Sequence, residues 1–357
     1  MAYDKDDTAS KISQYREEID ASLDGAYDDD TKSTLDKYEI SADNPSAAAD
    51  LSISQILSDI WQSFVSALNE PLKLLGKLIA ICTFSLMVKS VANDNTLNDT
   101  YDTASVLIGI MILFDSTSGA LESVKSSLDD ISLFMTSYIP VFSSVIASNA
   151  ALSSAAGYYS VMFVLCEVIS YIAANILLPF SGMLFALMIV SSVNGKMQLD
   201  GVISTIKNAV KWLLTALMTV FTAVISIKGI FGAAADSLTT RTVRFAASSF
   251  IPIVGGSVSE AYSTIYGSLG IIRSGVGLVG IAAVAVMVLK PVITIAAFKL
   301  IITLAAVIND LFGQKRFSAL LNGLGGVLSI SLGVIIVMGM IFIISTAVIM
   351  LTSMNAV

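Results

Sequence analysis

The stretch VAVMVLKPVITIAAFKLIITLAAV, residues 284–307, decides the solvent in which this chain folds. It is longer than the ~20 residues that carry a helix across a bilayer. Its only charged side chains are Lys290 and Lys299. The composition of the 357 residues agrees, with 55% hydrophobic and only 13% charged residues. A water-soluble fold does not hide so much apolar surface, so the chain is predicted to be a membrane protein.

Further apolar runs recur along the chain. They occupy residues 74–91, 104–114, 161–193, 210–231, 276–308 and 327–351. Two of them are long enough to form either a pair of spans or one broken span. Gly, Ala, Ser and Thr are frequent in these runs, and such small residues let membrane helices approach closely. We therefore predict an all-α polytopic membrane helical bundle with about six to eight spans.

The chain before these runs has a different composition. Residues 1–45 are dense in mostly negative charge, which predicts an acidic solvated head that does not pack into the bundle. Residues 46–70 place apolar side chains on one helical face and include Trp61, so they predict an interfacial amphipathic helix. The first membrane helices are expected over residues 71–131. The lysines around Lys207 and the pair that begins at Lys315 place both of their loops in the cytoplasm.

Four of the six prolines form two pairs with one spacing. Pro252 follows Pro140, and Pro291 follows Pro179, by the same 112 residues (252 − 140 = 291 − 179). The phrases around the first pair are alike: TSYIPVFSS at residues 136–144 and SSFIPIVGG at residues 248–256. The shared spacing indicates an internal duplication with membrane repeat units at residues 132–231 and 244–357. The alternative is a chance pairing of two ordinary helix kinks.

The second phrase also predicts a break in the backbone. Pro252 lacks a backbone donor and clashes with the preceding helical turn, while Gly255 and Gly256 adopt conformations that other residues avoid. Unpaired backbone groups are costly in hydrocarbon, so a broken helix is tolerated only where protein or water covers it. We interpret the following residues as path-lining positions or structural breaks: Pro140, Pro179, Pro252, Gly255, Gly256 and Pro291. The alternative is an interfacial turn between surface helices.

Three ionisable residues lie inside the apolar runs. Glu167, Lys290 and Lys299 are each well away from an obvious loop. Intramembrane charges are expensive and normally face the bundle interior, line water or pair with each other, so Glu167 and Lys290 are predicted as a pair. If the long runs are hairpins, these charges instead mark tips at the surface.

Most catalytic chemistry has no support in this sequence. The chain contains no histidine, which removes Ser-His nucleophiles and His-containing metal sites. The two cysteines, Cys82 and Cys166, are too few for a zinc site and are expected as packing residues. The GVGLVG stretch at residues 275–280 has dinucleotide-loop spacing but lies in a membrane run, so it predicts close helix packing. With a net charge of −8, nucleic-acid binding is not expected. We predict no enzyme activity, cofactor or metal.

Two stretches carry a family resemblance. They are FAASSFIPIVGGSVSEAYSTIYGSLGIIRSGVGLVGI at residues 245–281 and KRFSALLNGLGGVLSISLGVIIVMGMIFIISTAV at residues 315–348. Over roughly its last two thirds the chain resembles stage III sporulation protein AE of spore-forming Firmicutes. The resemblance implies a multi-pass protein of the mother-cell membrane that surrounds the forespore, and it implies no catalytic residues. It also implies membership, with the other stage III A proteins, in a channel-like complex that sustains late forespore development.

Two functional hypotheses follow. In the first, the chain is a conduit or transport subunit. The duplicated unit forms a path at the repeat interface, the two proline phrases line it, and Glu167, Lys290 and Lys299 lie near it. An ion-coupled secondary transporter is the alternative within this class. In the second, the broken helices serve only packing, and the chain is a membrane scaffold whose acidic head and interfacial helix recruit ring-forming partners. The expected partners are the other stage III A proteins, the lipid bilayer and further copies of this chain.

Overall fold

The computed structural model describes residues 14, 17, 19, 21–23, 25–41, 44, 47, 52–91, 95–148, 152–194, 199–250 and 255–354. Among these residues there are helices, turns and short connections but no β-strand. This confirms the all-α class. The helices are α1 (Asp29–Lys37), α2 (Ile53–Ala67), α3 (Asn69–Val91), α4 (Asn95–Ser148), α5 (Leu152–Ile172), a π-helix (Ala173–Leu177), α6 (Leu178–Val193), α7 (Asp200–Phe250), α8 (Gly255–Leu311) and α9 (Lys315–Met354).

Helices α8 and α9 form a tight antiparallel hairpin. Gly313 has a φ of 73°, a backbone conformation that suits glycine. Its N–H donates to the Asp310 carbonyl and the Gln314 N–H donates to the Asn309 carbonyl, both at 2.9 Å. These two bonds are the Schellman ending of a helix, so local sequence chemistry sets where α8 stops.

Glycines set the register of the hairpin. A Cβ on Gly339 would lie 2.5 Å from a methyl of Val288, and one on Gly277 would lie 2.3 Å from the sulfur of Met350. The two contacts are eleven residues apart on each helix (350 − 339 = 288 − 277), as antiparallel packing requires. The side chains of one helix therefore fill spaces that the absent Cβ atoms leave on the other.

Helix α7 runs parallel to α9. A Cβ on Gly326 would lie 2.4 Å from Nζ of Lys207, and one on Gly333 would lie 3.3 Å from a methyl of Leu214. Both positions advance by seven residues (333 − 326 = 214 − 207), two helical turns, in the same direction. The chain therefore enters α7 and α9 from the same end of the bundle.

An aromatic cluster fills the space between α4, α5 and α9. Its members, Phe134, Tyr138, Phe142, Tyr158 and Phe342, are each at most 1% exposed. Neighbouring ring centroids are 5.2 to 6.0 Å apart. The pairs are tilted, stacked or edge-to-face, and such aromatic contacts add to the stabilisation from burial. These buried rings occupy the interior beside α4.

The described residues include five helical segments long and apolar enough to cross a membrane. They are Ile53–Ser90, Thr100–Ser148, Ala155–Val193, Ser274–Leu311 and Lys315–Val348. The last segment has 34 residues, about 51 Å at 1.5 Å per residue, which exceeds the ~30 Å hydrocarbon layer. An apolar helix of this length fits a bilayer by tilting or by extending into the headgroup region. The total of about six to eight spans stays a prediction.

The acidic head packs on the bundle. Its apolar side chains are buried and belong to the same core as the membrane helices: Ile19, Leu23, Leu35 and Ile40. The ring of Tyr27 stacks on Phe134 of α4, with centroids 5.6 Å apart. The prediction that residues 1–45 do not pack into the bundle is therefore wrong for the described part of this segment. Its few apolar side chains are buried against the bundle despite its high charge density.

Helix α2 has apolar side chains on two faces, one turned toward the rest of the protein and one exposed. Ile56, Ile60 and Phe64 are half-buried toward the rest of the protein. Ile53 and Trp61 are 74% and 65% exposed, and the helix contains no buried residue. An exposed apolar stripe with a tryptophan suits the headgroup level of a bilayer. The interfacial position of this helix stays a prediction.

Candidate functional site

The C-terminal part of α4 has an outward face of hydroxyl side chains around Pro140. Thr136, Ser137, Pro140 and Ser144 are exposed and recur at helical spacing; we call these four residues the hydroxyl face. The three hydroxyls donate to backbone carbonyls of their own helix at 2.9, 3.2 and 2.7 Å. Their donors are thus satisfied while their oxygens still accept hydrogen bonds from water. This face tolerates both lipid and water.

The described prolines lie within or next to continuous helix. Pro140 and Pro291 are inside α4 and α8, and the backbone is helical on both sides of each. Pro179 is at the start of α6, directly after the π-helix Ala173–Leu177. A wider π turn before a proline relieves the clash of its ring with the preceding turn. Pro140 and Pro179 are exposed, whereas Pro291 is buried, so these three side chains do not converge on one interior path.

The second proline phrase is only partly described. Pro252 lies outside the described residues, in the interval between Phe250, where α7 ends, and Gly255, where α8 begins. Gly255 and Gly256 are the first two residues of α8. The role of these three positions as a break or a path lining stays a prediction.

The intramembrane charges do not form the predicted pair. Lys290 forms an ion pair with Asp30 of α1, and both side chains are largely exposed. Glu167 is exposed on α5, and Lys299 is half-buried on α8. The predicted Glu167–Lys290 pair is therefore wrong, because Lys290 pairs with Asp30 of the docked head instead.

Tyr138 anchors α4 to α8. Its hydroxyl donates to the backbone carbonyl of Val276 at 3.1 Å, and a Cβ on Gly280 would lie 2.3 Å from the tyrosine ring. The close helix packing predicted for residues 275–280 is confirmed at Gly277 and Gly280, each of which leaves room for a side chain from another helix. Sequence patterns did not single out Tyr138 itself, although they did single out the phrase that contains it.

A polar cluster clamps the turn between α8 and α9. Gln314 donates through Nε2 to Oγ of Ser85 at 2.9 Å and accepts from Nζ of Lys89 at 3.4 Å. Lys89 also forms an ion pair with Asp102 at the start of α4. Ser85 and Gln314 are 229 residues apart in the sequence, so no local pattern signalled this contact. The cluster holds one end of the bundle together.

The head and α2 are joined by a second polar contact. Asp59 accepts hydrogen bonds from Lys37 and Tyr38. The hydrogen bond to Asp59 raises the pKa of Tyr38 to about 12, with desolvation as a smaller cause. The phenol is thus a neutral donor at physiological pH.

No cluster of ionisable or thiol side chains in the described part of the chain suits a metal ion. Cys82 and Cys166 are both buried as free thiols, in agreement with their expected packing role.

The fold and these contacts define a class: an all-helical membrane protein with a docked N-terminal segment and close glycine-mediated packing. The family model described as stage III sporulation protein AE matches residues 38–353, so the chain belongs to this family. It is 25% identical over 244 residues to stage III sporulation protein AE of Bacillus subtilis (strain 168). That alignment covers 68% of this chain and 61% of the relative, so it spans about three fifths of the relative's length. No solved structure matches this chain.

Proposed function

We propose that this chain is a non-enzymatic membrane subunit of a channel or transport complex that links mother cell and forespore. Its family membership supports a role in sporulation, and its apolar helices support a membrane location. The observation that carries the channel part of the proposal is the hydroxyl face. Exposed hydroxyl groups at a proline on a membrane helix suit a water-filled path, because their oxygens can accept hydrogen bonds that water supplies and lipid does not.

The path of this proposal lies between chains. The aromatic cluster occupies the interior beside α4, so this helix directs its aromatic side chains inward and its hydroxyl face outward. A ring of several copies, or of this chain with other stage III A proteins, would bring hydroxyl faces together around a common axis. The partners and the mother-cell membrane around the forespore are part of this proposal.

The order of helices supports the proposed duplication. In the first unit a helical segment with Pro179 is followed by a short connection and then by α7. In the second unit α8 with Pro291 is followed by a short turn and then by α9. Because α7 and α9 are parallel, each unit delivers its last helix in the same direction. The proposed units are residues 132–231 and 244–357.

The alternatives have less support. In a scaffold that recruits partners through its acidic head and interfacial helix, the head is already engaged by the contact of Tyr27 with Phe134. An ion-coupled transporter needs ionisable groups around an interior site, but Glu167 and Lys290 are exposed. The channel subunit therefore takes precedence.

Cysteine accessibility tests the path. Cys82 and Cys166 are buried, which favours a low background for a membrane-impermeant thiol reagent. We expect Ser137→Cys to react in the assembled complex, because the reactive thiolate forms in water. Met111→Cys is the matched control, since Met111 is 76% exposed on the same helix but lies among apolar side chains. Labelling of the control in preference to Ser137→Cys would refute the hydroxyl face as a path lining.

Sporulation tests the glycine pair. Leucine favours helix over glycine by about 1 kcal/mol per residue, so Gly255→Leu with Gly256→Leu should straighten the phrase. We expect normal protein abundance but failed forespore development. The control pair is Gly76→Leu with Gly119→Leu, where an added Cβ meets open space. If the Gly255/Gly256 double variant sporulates like the parent, the phrase is only an interfacial turn.

A further inference from the structure

Two lysines on α7 have no acidic partner among the described residues. Lys207 and Lys211 are four residues apart, so they lie on one face of the helix and repel each other. Lys207 is half-buried and Lys211 is exposed, and the ion pairs of the described residues include neither. A half-buried lysine beside a second cation is unfavourable, and an anion from outside the chain would relieve this repulsion.

The described neighbours of α7 form no ion pair with either lysine. Helices α5, α6, α8 and α9 all pack against α7. Of these, α6 and α9 contain no aspartate or glutamate, and no ion pair of the described residues joins a carboxylate of α5 or α8 to Lys207 or Lys211. The ammonium of Lys207 instead rests beside Gly326 of α9, where a Cβ would lie 2.4 Å from Nζ. This glycine therefore makes the space in which the charged group sits.

An exposed apolar surface adjoins the two cations. Trp212 is 72% exposed directly after Lys211, and Val220 is 60% exposed two turns further along α7. The two cations therefore lie next to an exposed apolar surface, and the tryptophan lies between them and that surface. This arrangement suits the boundary of a bilayer leaflet, where the charged headgroups meet the acyl chains. The basic loop before α7 was predicted to face the cytoplasm, the side where anionic lipids attract such residues.

We propose that Lys207 and Lys211 bind the phosphate of an anionic phospholipid. Gly326 forms the floor of the site, and Trp212 lies beside the part of the acyl chains that is nearest the headgroup. The phosphate lies between the two ammonium groups and removes their repulsion. This site is separate from the hydroxyl face and does not depend on the path.

The test uses the purified full chain in nanodiscs of phosphatidylcholine with or without phosphatidylglycerol. We expect phosphatidylglycerol to raise the melting temperature and to stay bound in native mass spectrometry. Lys207→Gln and Lys211→Gln should each weaken its apparent affinity about fivefold. Lys315→Gln, at an exposed cation near the turn before α9, should not.

Two adjacent glycines give a matched pair. Gly326→Ala should displace the Lys207 ammonium and weaken phosphatidylglycerol binding. Gly325→Ala should not, because its nearest neighbour is Oγ1 of Thr303 at an ordinary 3.8 Å. Melting in pure phosphatidylcholine checks that each variant is folded. Parent-like binding by the double glutamine variant, equal binding by both alanine variants, or equal stabilisation by inorganic phosphate alone would overturn the proposal.

Discussion

Replacing Gly280 by alanine should loosen the junction of α4 and α8. The new Cβ would lie 2.3 Å from Cε2 and Cζ of Tyr138 and 2.5 Å from its hydroxyl oxygen. The tyrosine ring has little room to retreat. Its hydroxyl is bonded to Val276, and the rings of Phe142 and Phe342 are centred 5.4 and 5.2 Å away.

The size of the effect follows from three terms. Overpacking of a filled core costs about 1–3 kcal/mol. Loss of the hydrogen bond from Tyr138 adds about 1 kcal/mol. The better helix propensity of alanine returns about 0.5–1 kcal/mol. We therefore expect Gly280→Ala to lower the free energy of unfolding by about 2 kcal/mol.

Thermal unfolding in detergent, followed by the fluorescence of the two tryptophans, measures this effect. The control is Gly119→Ala in α4, where an added Cβ has no neighbour within 4 Å and only the propensity gain of about 0.5–1 kcal/mol applies. The two alanine variants should thus shift the melting temperature in opposite directions. If Gly280→Ala melts at or above the parent temperature, the steric reasoning is wrong.

Three further outcomes are expected. Gly313→Ala should lower the free energy of unfolding by about 1 kcal/mol in the same melting assay, because its φ of 73° disfavours a side chain. An unchanged melting temperature would contradict this and show that the turn relaxes. Leu35→Ala should weaken docking of the head by about 2–5 kcal/mol and speed hydrogen exchange of α1, since Leu35 is 3% exposed; unchanged exchange would contradict the docking contact. The pKa of Tyr38 is about 12 against an ordinary 10.0. Its contact with Asp59 should therefore stabilise the folded protein below pH 10, and this stabilisation should be lost as the pH rises through about 12. The ultraviolet titration curve of the parent, after subtraction of the curve of Tyr38→Phe, gives the titration midpoint of Tyr38. Asp59→Asn should move this midpoint back toward 10.0.

The sequence alone determined that the chain folds in a membrane, that it is helical and that its helices pack closely at the GVGLVG stretch. These properties depend on local composition and on the spacing of small residues, which a single segment displays. The absence of histidine likewise narrowed the possible chemistry through composition alone. The resemblance of residues 245–281 and 315–348 pointed to the family that the comparison then showed.

Only the tertiary structure decided which residues meet. Lys290 pairs with Asp30 rather than with Glu167, and the head docks through apolar side chains that its charge concealed. The clamp of Gln314 with Ser85 and the position of Lys207 beside Gly326 join segments that are far apart in the chain. Helical periodicity specifies the face on which a side chain lies, but partner, register and direction are set by packing between helices, where many apolar faces are nearly equivalent. Specific glycines and buried polar contacts select among those arrangements, and they act only once the helices are together.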